Sequence, residues 1–113
     1  MNVPTPFEVI SLETPEGVTL TAVGELDIAS VSELETSVED ALARGTRRLV
    51  IDLSRLTFID SSGLRSCIIL YDRAVSEGWS LGLVRPSAPA LTVFEMTGAD
   101  ENLPFIDAAA KEP

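Results

Sequence analysis

Apolar and polar residues alternate or cluster at strand spacing in Phe7–Leu12 and again in Val18–Val23, with the turn-rich Thr14-Pro15-Glu16-Gly17 between them. This predicts a hairpin. Beyond Gly24-Glu25-Leu26-Asp27 the period changes. Val31, Leu34, Val38, Ala41 and Leu42 recur at helical intervals before Gly45, and Ser30 and Glu33 have the spacing of a capping box. Leu49-Val50-Ile51-Asp52-Leu53 is almost continuously apolar, as in a central strand covered on both faces. Ser54–Ile59 continues it to Asp60-Ser61-Ser62-Gly63, after which Leu64, Ile68, Tyr71 and Val75 mark a second helix ending near Gly78. Trp79–Val84 reads as another strand. Pro86 is placed to open a third helix through Ala90, Leu91, Phe94 and Met96 to Gly98, and Leu103–Ile106 forms a last short strand. Strands alternating with helices predict an α/β fold built on a mixed sheet.

Composition narrows the class. The 113 residues suit one domain, 1–113, with a core over about 7–107 and a tail over 108–113 that has little to bury and is expected to fray. A hydrophobic content of 45% argues against disorder, and no apolar run approaches the roughly 20 residues of a membrane span. The start, MNVPTPFEV, lacks the basic and apolar stretches of a secretory signal, and a single cysteine allows no internal disulfide, so a cytoplasmic location is the expectation. A net charge of -10 repels phosphate backbones and anionic lipid. Direct nucleic-acid and membrane binding are therefore not expected, and a partner with a basic surface fits better.

Candidate chemistry concentrates at Asp60-Ser61-Ser62-Gly63, an acid, two hydroxyls and a glycine at a loop-to-helix junction. A helix N-terminus carries unpaired N–H groups and a partial positive charge, so a hydroxyl there either caps the helix or, once phosphorylated, seats the new negative charge. Asp60 either caps the helix or orients the serine. The serines do not read as a hydrolase, since the chain contains no His and no Ser-x-x-Lys arrangement to supply a base. Cys67 lies in a largely apolar helical pattern without a second Cys or any His, which favours packing over metal or redox work. Trp79 reads as core, and the glycines around Gly78 and Gly82 lack a phosphate-loop pattern. No catalytic residue, metal site or cofactor is expected.

Three motifs in order carry a family resemblance: Gly24-Glu25-Leu26-Asp27 after the second strand, Phe58-Ile59-Asp60-Ser61-Ser62-Gly63-Leu64 before a helix, and Phe94-Glu95-Met96-Thr97-Gly98 near the third helix. The chain resembles the STAS-domain anti-sigma factor antagonists, a resemblance that covers nearly the whole domain, from about Phe7 to Ile106. The resemblance implies a mixed sheet of four to five strands flanked by about three to four helices, in a non-enzymatic protein. It further implies that the unmodified protein binds an anti-sigma factor serine kinase and frees the sigma factor, that phosphorylation of Ser61 reverses the capture, and that a serine phosphatase restores the hydroxyl. Asp27, Asp60, Ser61, Ser62 and Gly63 are the implied partner-binding residues, with Asp27 placed to pair with a basic residue of the kinase. Gly63 is expected to permit a close backbone approach and Leu64 to enter the core. Arg65 either tunes partner choice, seats phosphate or is simply solvated. The competing reading is a constitutive STAS interaction or scaffold module in another signalling or transport complex. Oligomeric state is left open.

Overall fold

A computed structural model describes residues 7–107; the tail expected to fray lies outside these residues. Strands β1 (Glu8–Thr14) and β2 (Gly17–Leu26) form the expected hairpin, followed by helix α1 (Val31–Ala43), strand β3 (Arg48–Ile59) and helix α2 (Ser61–Glu77). Strand β4 (Ser80–Val84), helix α3 (Ala90–Thr97), a 3₁₀ turn (Ala99–Glu101) and strand β5 (Phe105–Ile106) complete the order. The sheet runs β1-β2-β3-β4-β5, with only the first pair antiparallel, so it is mixed and the fold is α/β. The third helix begins at Ala90 rather than at Pro86, because Ser87 to Pro89 form a preceding turn in which the Ser87 carbonyl accepts the Leu91 N–H.

Leu20, Ile51 and Leu83 lie side by side across β2, β3 and β4, and all three are buried. Burial of each such side chain stabilises the fold by about 1.5–3 kcal/mol before entropy is counted. Leu34, Val38 and Ala41 of α1 and Leu64, Cys67, Leu70 and Ala74 of α2 supply the facing layer, joined by a hydrogen bond from Ser66 Oγ to Glu35 at 3.0 Å. Phe94 of α3 meets Phe105 edge to face, 5.5 Å between centroids. The expectation that β3 is covered on both faces holds only in part. It is central by hydrogen bonding, but Val50 on its other face is only half-buried.

The second half of β3 does not alternate. Between Thr21 and Val23, and again between Gly24 and Glu25, β3 advances one residue more than β2. Each extra residue is a bulge that turns the strand over. Leu53, Leu56 and Ile59 therefore point inward at intervals of three, leaving Ser54, Arg55, Thr57 and Phe58 outward. Gly24, opposite the second bulge, has φ +107°, a conformation side chains rarely adopt.

Candidate partner-binding and phosphorylation site

The carboxyl ends of β2 and β3 are paired at Leu26 and Ile59, so the two segments that follow them emerge together. The backbone continues the pairing one step further, with the Asp60 N–H donating to the Leu26 carbonyl at 3.2 Å. In open α/β sheets this end is where functional loops collect.

Asp60 is the N-cap of α2. Its backbone is extended (φ -108°, ψ -174°), and its Oδ1 accepts the N–H groups of Ser62 at 2.9 Å and Gly63 at 3.0 Å. Two of the four donors left over at the helix start are satisfied this way. Oδ2 accepts the Ile28 N–H at 3.3 Å, tying the helix to the turn that follows β2. Of the two roles open to Asp60, capping is the one seen. The serines do not cap: Ser61 is the first residue of α2 and exposed, while Ser62 behind it is half-buried. Arg65, also exposed, stands one helical turn beyond Ser61.

Gly63 is buried where α2 crosses the end of the sheet. A Cβ there would lie 2.6 Å from the Leu26 carbonyl oxygen and 2.7 Å from Ile59 Cγ1, so the close approach requires glycine. Leu64 enters the core.

Asp27 orders the neighbouring turn. Its Oδ1 accepts the N–H groups of Ala29 at 3.0 Å and Ser30 at 3.1 Å, and its carbonyl accepts those of Ser30 and Val31. Ser30 is buried and does not form the expected capping box; no side-chain cap bond is made at the start of α1. Its hydroxyl instead donates to the Glu25 carbonyl at 2.7 Å and accepts the Asp27 N–H at 3.0 Å. A hydroxyl has one proton, and the turn behind Ser30 claims it. Asp27, Asp60, Ser61 and Ser62 thus lie on two segments that hydrogen bonds join, whereas Gly63, expected among the partner-binding residues, is buried beneath them against Leu26 and Ile59.

Two exposed apolar side chains close to these segments in the chain were not singled out by sequence patterning. Ile28, within the turn, is 78% exposed, and Phe58, two residues before Asp60, is 45% exposed. Ile28 was legible as an apolar residue directly after an acidic turn residue. Phe58 keeps the outward side that alternation from Ile51 and Leu53 gives it, because the two bulges reverse the strand twice and exchange the sides only of the residues between them, Arg55 and Leu56.

Elsewhere, Cys67 is fully buried and its thiol is pushed up to about 12 by loss of solvation, which suits packing. Trp79 is buried and its Nε1 donates to Glu77 at 3.0 Å. Arg73 bridges Glu77 and Glu39, and bonds from Arg73 first and Trp79 second hold the Glu77 carboxyl below its usual range.

A family model described as the Mlab STAS domain matches residues 12–106. A curated Bordetella bronchiseptica protein, BtrV, named as an anti-sigma factor antagonist, is 31% identical over 75 residues, 66% of this chain and 65% of its own length. The match thus spans slightly under two-thirds of that relative. The crystal structure of an anti-sigma factor antagonist from Mycobacterium paratuberculosis has the same fold, with TM-score 0.81, 24% identity and coverage of 98% of this chain and 94% of its own. The anti-sigma factor antagonist SpoIIAA in its unphosphorylated form gives TM-score 0.72 at 25% identity, covering 95% and 91%. The Bacillus cell fate determinant SpoIIAA in its phosphorylated form gives 0.68 at 25% identity, covering 95% of each chain. The chain therefore belongs to the STAS-domain family, the family of non-enzymatic regulators in which these anti-sigma factor antagonists stand.

Proposed function

We propose that the unphosphorylated chain binds an anti-sigma factor serine kinase in the cytoplasm and thereby frees a sigma factor, and that phosphorylation of Ser61 reverses the capture. The observation that carries this reading is the exposed Ser61 at the first position of a helix whose cap is already supplied by Asp60. Its hydroxyl is open to a kinase without loss of that cap. A phosphate there adds about -1.5 to -2 charges and three strong acceptor oxygens. The helix N-terminus stabilises that charge, and Arg65 one turn on is a basic group within the same helix. The partner, shaped to the small hydroxyl, meets bulk and charge instead. A penalty of about 3 kcal/mol lowers affinity by roughly two orders of magnitude, enough to exchange limiting partners. Asp27, Asp60 and Ser62 complete the partner-binding surface, Gly63 serves it from beneath by letting α2 approach the sheet, and exposed Ile28 beside Asp27 supplies an apolar contact of the kind that dominates such interfaces. A serine phosphatase returns the chain to its binding form. That SpoIIAA, a relative of the same fold, has been solved in both phosphorylation states supports the switch.

The test is intact-mass and fragment-mass analysis after incubation with each anti-sigma factor kinase of the same genome and ATP. One phosphate on Ser61, absent from Ser61→Ala, is expected, and that variant should still bind the kinase. Persistent phosphorylation of Ser61→Ala overturns the site assignment. A folded chain that no kinase modifies returns the choice to a second reading, a constitutive interaction module in another signalling or transport complex. That reading draws on the matching family model, which is described as the Mlab STAS domain rather than as an antagonist.

A further inference from the structure

The first four backbone N–H groups of a helix lack intrahelical partners, and at the start of α2 three of them are already engaged. The Asp60 N–H donates to the Leu26 carbonyl, and those of Ser62 and Gly63 donate to Asp60 Oδ1. The Leu64 N–H then closes the first helical turn on the Asp60 carbonyl at 3.1 Å. Among the described residues this leaves the N–H of Ser61 itself, a single donor for a phosphate that brings three acceptor oxygens to the same residue. The cap that holds the helix therefore occupies the backbone groups that would otherwise receive an anion there. It also puts a carboxylate beside the new charge.

Positive charges in this chain are few, and several are committed. Against 18 Asp and Glu stand 8 Lys and Arg. Arg73 bridges Glu39 and Glu77, Arg44 pairs with Glu13, Arg47 donates to the carbonyls of Glu77 and Gly78, and Arg85 lies over the Phe105 ring, 4.6 Å from its centroid. Arg65 has no ion pair and no side-chain hydrogen bond among the described residues. Its neighbours one turn away on α2 are Ser61 and Ser62 on one side and Ile68 and Ile69 on the other, so no acid stands three or four residues from it on this helix. Arg73, on the same helix, has Glu77 four residues on and bonds to it. Arg65 is thus an exposed cation whose place for a counter-charge is held by a hydroxyl. Four residues apart, Ser61 and Arg65 stand within about 40° of each other around the helix axis.

We propose that Arg65 positions the phosphate: once Ser61 is phosphorylated, the Arg65 guanidinium pairs with the phosphate oxygens across one turn of α2 and draws them along the helix, away from the Asp60 carboxylate. The inference rests on the reading of Ser61 as the modified residue and adds the group that holds its phosphate. An anion placed N-terminal to a cation at this spacing is the favourable order on a helix. A guanidinium also offers two parallel N–H donors to two phosphate oxygens, which one backbone N–H cannot do. Phosphorylation then changes the surface twice. It adds negative charge at Ser61, and it takes the free cation of Arg65 out of a partner's reach.

The test places phosphoserine at position 61 of the full-length chain by genetic encoding, so no kinase is needed and a failure of the kinase reading does not touch the result. Phosphorus-31 shifts followed between about pH 5 and pH 8 give the second pKa of the phosphate, ordinarily about 6. Pairing with Arg65 favours the dianion, so this pKa should lie at least ~0.2 unit lower than in the same phosphoprotein carrying Arg65→Gln. Arg65→Lys, which keeps the charge without the planar fork, should recover part of the difference. Position 65 is exposed, so these variants should fold, and circular dichroism checks that they do. Arg55→Gln, at an exposed position of β3, removes the same net charge and should leave the pKa where it was. A smaller difference between Arg65→Gln and the parent phosphoprotein, or a shift of equal size in Arg55→Gln, overturns the proposal while leaving Ser61 as the modified residue.

Discussion

Asp60 accepts the backbone N–H of Ile28 across 32 residues of chain, and through this 3.3 Å bond the cap of α2 and the turn after β2 become one unit. The same carboxylate holds the first turn of the helix with its other oxygen. Any charge added at Ser61 arises beside the group that fixes both segments.

Asp60→Ala should therefore cost more than an ordinary surface substitution. Loss of the cap removes about 1–2 kcal/mol, and the tether to Ile28 is lost with it. Asp60→Asn keeps an amide oxygen for Ser62 and Gly63 and should lose less. Urea denaturation of both variants checks the order; an Ala variant as stable as the parent would refute the capping role.

Gly63→Ala sets two effects against each other. Alanine is favoured over glycine within a helix by about 1 kcal/mol. Its methyl group, however, would sit 2.6 Å from a backbone oxygen of Leu26, which cannot swing aside as a flexible side chain does. Overpacking should win, with a net loss of about 1–3 kcal/mol. A urea midpoint that stays level or rises would show that the helix start shifts without cost.

Asp27 carries a turn as well as a charge, and Asp27→Ala confounds the two. Asp27→Asn leaves an oxygen to accept the Ala29 and Ser30 N–H groups while removing the charge. If the carboxylate pairs with a basic residue of the kinase, Asn should weaken the complex by about tenfold while the melting temperature stays within a few degrees. Equal affinity with unchanged folding would remove Asp27 from the interface.

Cys67 makes a prediction about alkaline pH. Burial raises its pKa from the ordinary 9.0 to about 12, so the unfolded chain releases this proton first as pH rises. Its contribution to stability is complete below pH 9 and is lost progressively from about 9 to 12. At neutral pH the folded thiol should resist iodoacetamide and react only on unfolding in urea. Rapid labelling of the native chain would show that the core around α2 opens.

Much of the molecule was legible from residue order. Strand and helix periods, the Thr14–Gly17 turn and the glycines that follow the helices are carried by near neighbours, and the resulting order of elements agrees with the fold. The junction at Asp60 was visible for the same reason: acid, hydroxyl and glycine preferences at helix starts act over a few residues. Where two local rules competed, sequence was a weaker guide. Ser30 and Glu33 satisfy the spacing of a capping box, yet Ser30 turns back to the Glu25 carbonyl and the Asp27 N–H because a buried turn needs its hydroxyl more than an exposed helix start does.

By itself the sequence determined the alternation of strands and helices, and the position of an acidic cap and two hydroxyls at the start of one helix, since periodicity and capping are properties of contiguous residues. Only the tertiary structure decided the role of Asp60, the inward side of Leu56 and the need for glycine at position 63. Each of these depends on the register between distant segments. The two bulges in β3 exchange the sides of Arg55 and Leu56, placing Leu56 in the core, and restore the original alternation by Ile59.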